Sequence, residues 1–76
     1  MPGLKCTFLE FIKIIEAHGF KLDRQRSTSH RQYVGSVGGM RRIVTVAFHS
    51  PTESIRPGTL KAMIRQSGLP QSLFRK

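Results

Sequence analysis

Residues 30–48 read HRQYVGSVGGMRRIVTVAF, and this stretch decides the fold. From His30 to Val37 the chain alternates, so His30, Gln32 and Val34 share one face of a strand while Arg31, Tyr33 and Gly35 share the other. Gly38-Gly39 then supplies a hairpin turn, since both residues tolerate the positive φ that a two-residue turn demands. Ile43-Val44-Thr45-Val46-Ala47-Phe48 is the most β-prone segment in the chain, and its low polarity predicts the central strand of the sheet.

Outward toward the N-terminus, Phe20, Leu22 and Arg24 alternate with Lys21, Asp23 and Gln25, which predicts a further strand from Phe20 to Arg26. Ser27-Thr28-Ser29 is a turn cluster between the two strands. Before them, Phe8, Phe11, Ile12 and Ile15 recur at helical spacing. Thr7 and Glu10 form the capping-box pair that starts this helix, and Gly19 fits the left-handed position that ends it. His18 falls in the last turn, where a cation complements the helix dipole.

Toward the C-terminus, a loop from His49 to Arg56 leads to a second helix. Pro57 suits its first turn, where a missing N–H costs nothing. Leu60, Met63 and Ile64 form the apolar face, and Gly68 stops the helix. Pro70 follows, so residues 70–76 are expected to leave the fold as a flexible tail beyond a core of about residues 7–69. The order is α-β-β-β-α: an α+β domain spanning 1–76, with two helices on one face of a three-stranded antiparallel sheet. Double-stranded-RNA-binding domains have this order, which is an analogy of fold alone.

With 76 residues the chain buries only about 60% of its unfolded surface, too thin a core to enclose a large cofactor. Thirteen Lys and Arg against four Asp and Glu give a net charge of +9. All four acids lie outside residues 24–42, which hold Arg24, Arg26, Arg31, Arg41 and Arg42. The planar guanidinium fork suits bidentate phosphate recognition, so nucleic acid leads the candidate partners, with an acidic protein as another. Cys6 is the only cysteine, which excludes an internal disulfide framework and a cysteine-rich metal site and fits a cytoplasmic protein. No apolar run approaches the roughly 20 residues of a membrane span, and no signal-peptide layout opens the chain.

Chemistry concentrates at Ser29-His30. RNA carries its own nucleophile, the 2′-hydroxyl, so its cleavage needs a proton acceptor, a proton donor for the leaving 5′-oxygen, and cations around the phosphorane. Histidine, with an unperturbed pKa of about 6.5, suits both proton steps, and arginines supply the electrostatic part. This chemistry requires no metal and no cofactor, and no cluster of carboxylates stands out as a metal site. From spacing alone two readings of His30 stand, a catalyst or a phosphate-contacting residue of a non-catalytic RNA-binding module. Tyr33, on the opposite face, is expected to pack against a helix. His49 ends the third strand as a possible helper, and Lys61 and Arg65 either extend the phosphate-binding face or are simply solvated.

Several segments together resemble the HicA family of mRNA interferase toxins. They are Phe11-Ile12-Lys13-Ile14-Ile15-Glu16 with His18-Gly19-Phe20, then Arg24-Gln25-Arg26 leading to Ser29-His30-Arg31-Gln32-Tyr33. Arg41 to Val46 follows, and then Pro57-Gly58-Thr59-Leu60 with Ile64-Arg65-Gln66-Ser67-Gly68-Leu69. The resemblance implies a double-stranded-RNA-binding-like fold and metal-independent endoribonuclease cleavage of mRNA. It also implies a HicB antitoxin that blocks the site, and a free toxin that is a monomer. The family's catalytic histidine maps onto His30, and Arg24, Arg26, Ser29, Arg31, Arg41 and Arg42 are the accompanying RNA-binding candidates. The chain departs from the family pattern at Thr28, where glycine usually precedes Ser-His.

Overall fold

Helix α1 (Phe8–Ala17) starts at the cap expected from the sequence. The Thr7 Oγ1 accepts from the Glu10 N–H at 3.2 Å, and the Glu10 carboxylate accepts from the Thr7 N–H at 2.9 Å. The other free N–H groups of the first turn find carbonyls in the loop before the second helix. Phe8 donates to the Glu53 carbonyl at 3.1 Å and Leu9 to that of Pro51 at 3.2 Å. The start of α1 is thereby fastened to a segment more than forty residues away. The description is of a computed structural model, covering residues 4–25 and 29–75.

Three antiparallel strands follow in the sheet order β1-β2-β3: β1 (Lys21–Gln25), β2 (His30–Val37) and β3 (Met40–Ala47). The β2–β3 hairpin turns at Gly38 and Gly39, with φ of 60° and 80°, both values that a side chain would resist. Helix α2 (Pro57–Ser67) ends at Gly68, again at positive φ, and carries Leu60, Met63 and Ile64 inward. This is the expected α+β arrangement, α-β-β-β-α, and it is consistent with a double-stranded-RNA-binding-domain-like fold.

The sheet has one dry face. Tyr33, Val44 and Val46 are buried on it and join Phe11, Ile12 and Ile15 of α1 and Leu60, Met63 and Ile64 of α2 in one core. Tyr33 thus packs against the helical layer, as the alternation of β2 required. The partner residues His30↔Ala47, Gln32↔Thr45 and Val34↔Ile43 belong to the opposite, open face.

Two expectations are corrected. The apolar strand β3 is not central; β2 is, because it hydrogen-bonds to both neighbours in a meander of short connections. The apolar character of β3 reflects Val44 and Val46 against the helices, and its outer edge is covered in part by α2, where the Gln66 side chain accepts from the Thr45 N–H at 3.2 Å. Nor does the C-terminal segment leave the fold. Gln71–Phe74 forms a 3₁₀ turn, Phe74 is only 1% exposed, and its ring stacks on Phe11 at 5.1 Å. The Cys6 thiol, fully buried, donates to the Phe74 carbonyl, a packing role for this cysteine.

Candidate functional site

His30 opens β2 and is exposed on the open face, across from Ala47. Ser29 precedes it, half-buried, with Oγ 3.5 Å from His30 Nδ1. The Ser29 carbonyl accepts from the Phe48 N–H, so the β2–β3 ladder continues one step past His30 and fixes the backbone that carries the imidazole. Beside the ring lies a shallow depression of about 30 Å³ bordered by His30, Arg31, Gln32 and Thr45. That volume suits a water molecule or two rather than an enclosed ligand.

Arg24 reaches this face by an irregularity in β1. Lys21 pairs with Val34 and Leu22 with Tyr33, but the register then shifts, and Arg24 pairs with Gln32. Asp23 is the extra residue of the bulge. Strict alternation would have kept Arg24 with Phe20 and Leu22 on the helix-facing side. The bulge instead turns it to the side of His30, the kind of re-aiming for which bulges are used near functional sites.

The other candidate arginines separate. Arg41 is exposed on the same face, but it pairs with Ser36, six residues along β2 from His30 and so about 20 Å away. Arg31 and Arg42 pair with Val46 and Gly35 on the helix-facing side. The Arg31 guanidinium lies over the Phe48 ring at 4.0 Å, and that of Arg42 packs against Gly68 at the end of α2. The Nε atoms of both are buried without a hydrogen-bond partner among the described residues. Arg26, and Thr28 with the turn expected around it, lie outside the described residues.

His18 keeps a local role, its Nδ1–H donating to the Ile14 carbonyl at 2.8 Å. Lys61 and Arg65 are exposed on α2, in the helical layer rather than on the open face. His49 does not line the depression beside His30. Its ring meets Phe8 edge-on at 6.0 Å and borders a separate cavity. Gln32 and Thr45, which border the His30 depression, were not among the sequence candidates. Gln32 was legible as the next residue on the same face, whereas Thr45 required the register of β3.

Residues 9–69 match the family described as the HicA toxin of bacterial toxin–antitoxin systems. The chain belongs to the HicA toxin family. As a HicA toxin it is one half of a toxin–antitoxin pair, which implies a cognate antitoxin. The match runs from the first turns of α1 to just past α2 and includes every described element of the open face. Neither the curated proteins nor the solved structures compared with the chain gave a match. Among the described residues, no helix is long and apolar enough to cross a membrane.

Proposed function

We propose that this HicA toxin is an endoribonuclease that cleaves mRNA through 2′-hydroxyl attack, with His30 as its general acid or base. The observation that carries the reading is an exposed imidazole on an open sheet face, beside Ser29 and an arginine aimed to the same side by a bulge. In the reaction the 2′-oxygen bonds to phosphorus, the bond to the 5′-oxygen breaks, and the products are a 2′,3′-cyclic phosphate and a 5′-hydroxyl. The proton leaves the 2′-hydroxyl and one is delivered to the 5′-oxygen, steps suited to an imidazole near neutrality. Arg24 and Ser29 position and neutralise the phosphate, with Arg26 and Arg41 along the RNA path. Arg42 contributes to the basic potential from behind the sheet, whereas Arg31 also borders the depression beside His30. The reaction draws on no metal. A HicB-type antitoxin would cover the same face, and the free toxin would act as a monomer in the cytoplasm, where mRNA is found.

The test is His30→Ala. Loss of a general acid or base lowers cleavage of a single-stranded RNA by about 100- to 10,000-fold. The fold is expected to be unchanged, because His30 is exposed. Wild-type cleavage should persist in EDTA and leave 5′-hydroxyl ends. Undiminished cleavage by purified His30→Ala protein would overturn the assignment, and RNA binding without cleavage by wild type would leave a binding module instead.

A further inference from the structure

Next to His30 on the open face, all three strands contribute to one row of polar residues. Gln32 of β2 pairs with Arg24 of β1 on one side and with Thr45 of β3 on the other. The bulge at Asp23 completes this row, because it sets Arg24 opposite Gln32. With strands about 4.8 Å apart, the row spans roughly 10 Å and stands about 7 Å along β2 from His30. Across the strand His30 itself faces only Ala47, whose methyl group offers no polar contact. A group held against the imidazole therefore finds its next polar contact on this face in the Gln32 row.

Gln32 is the best placed of the three. It lies on the central strand, where ladders on both sides hold its backbone, and it is half-buried while Arg24 and Thr45 are exposed. The depression beside it is lined by His30, Arg31, Gln32 and Thr45. Each of these side chains can donate a hydrogen bond. The guanidinium only donates, the imidazole and the hydroxyl can donate or accept, and the carboxamide has two N–H groups and one oxygen. No carboxylate lines the depression, and Asp23, the one acid in the strands, is not part of it. With Arg31 at the depression and Arg24 at the end of the row, the surroundings favour an anion. Two hydrogen bonds of about 2.9 Å with one phosphoryl group between them span a length close to the separation of His30 and Gln32. The carboxamide oxygen can accept from Arg24, its cross-strand partner, which leaves the N–H groups for the phosphate.

We propose that Gln32 donates its carboxamide N–H to a non-bridging oxygen of the scissile phosphate, holding that phosphate against His30. The proposal rests on the endoribonuclease reading for its place in the reaction, but the contact with phosphate is measurable apart from cleavage. Gln32 is neutral and displaces no counterion, so unlike Arg24 it leaves the salt dependence of binding alone. Its bond strengthens as the phosphorane gains charge, so its removal acts on kcat more than on KM.

The test is Gln32→Met, which keeps length and neutrality and removes the donor. Gln32 lies outside the core, so the variant keeps the fold. Cleavage is measured on an RNA oligonucleotide spanning one mapped cut, and on the same RNA with sulphur replacing either non-bridging oxygen there. Gln32→Met should lower kcat by roughly ten- to hundredfold, the worth of a hydrogen bond to a charged group, with an unchanged salt slope. Sulphur, a poor acceptor, at the contacted oxygen should slow wild type by about tenfold and slow Gln32→Met no further, because the bond is already gone. In parallel, a single-stranded DNA, which lacks the 2′-hydroxyl and cannot be cut by this route, is titrated into isotope-labelled wild type and His30→Ala. The Gln32 side-chain amide resonances should move in both. Movement in a wild type that cuts no RNA would refute the endoribonuclease reading and uphold the phosphate contact. Gln32 resonances that do not move, wild-type kcat in Gln32→Met, or equal sulphur penalties in the two proteins would refute the contact and leave the endoribonuclease standing.

Discussion

Gly35 lies within the central strand, and replacing it with alanine sets two effects of opposite sign against each other. Glycine in a strand interior is conformationally costly, so on propensity alone Gly35→Ala should stabilise by roughly 0.5–1 kcal/mol. The structure opposes this, because a Cβ at Gly35 would stand 2.6 Å from Cγ of Phe20 and 2.8 Å from both Cδ atoms. Cγ is the root of the ring, so the ring cannot swing aside without displacing its own backbone, and Phe20 is only 2% exposed. Overpacking of this kind costs about 1–3 kcal/mol, more than propensity returns. The expected net loss is about 1–2 kcal/mol, or a fall in Tm of roughly 5–15 °C for a domain of this size. Urea unfolding followed by circular dichroism measures it, with Phe20→Ala and the double variant completing a cycle. Phe20→Ala alone should cost about 3–5 kcal/mol, against a total of about 4–11 kcal/mol for 76 residues. Once the ring is gone the clash is gone, so in that background Gly35→Ala should be neutral or stabilising. Sucrose in all four samples keeps the weakest variant folded. Equal destabilisation by Gly35→Ala in both backgrounds, or a gain in the wild-type background, would refute the reasoning.

Two further outcomes are expected. Phe74→Ala should cost about 3–5 kcal/mol in the same assay, since its buried ring stacks on Phe11; a loss below about 1 kcal/mol, the scale of an ordinary substitution, would place the C-terminal turn outside the core. Arg24→Ala and Arg42→Ala should diverge although both remove one positive charge. Arg24→Ala should weaken RNA binding and reduce the slope of log K against log salt by about 0.7, the value for one phosphate contact on a single strand. Arg42→Ala should leave that slope nearly intact and lower stability by about 1 kcal/mol through lost packing; equal slopes for the two variants would sink the division of arginines between faces.

What was legible in the sequence was local. The capping box at Thr7 and Glu10 closes within one turn, and Gly38-Gly39 needs only its own backbone angles, so both could be read directly. The face of His30 followed from period-two alternation in a regular strand. Phe74 was different: its partner Phe11 is 63 residues away, and Pro70 looked like the end of the fold because a proline stops a helix without saying where the chain goes next. The cavity beside Ala47 was hidden for the same reason, since Phe8, His49 and Thr59 meet only through the packing of α1, β3 and α2.

The basic stretch shows most clearly where composition stops and geometry begins. Arg24, Arg31, Arg41 and Arg42 look equivalent as charges, yet the sheet sends two to each side. Arg31 and Arg42 resolve their position behind the sheet by lying over Phe48 and along Gly68, which covers their stems and leaves the charge to act at a distance. Arg24 sits on a strand whose residues are all exposed, so burial does not decide its side. Kept in register with the half-exposed Leu22, it would have stood on the helix-facing side, away from His30. One extra residue, Asp23, sets it instead on the side of His30. No residue type in Leu22-Asp23-Arg24 announces a bulge, so the sequence could name Arg24 as a candidate but not give the reason it reaches the site.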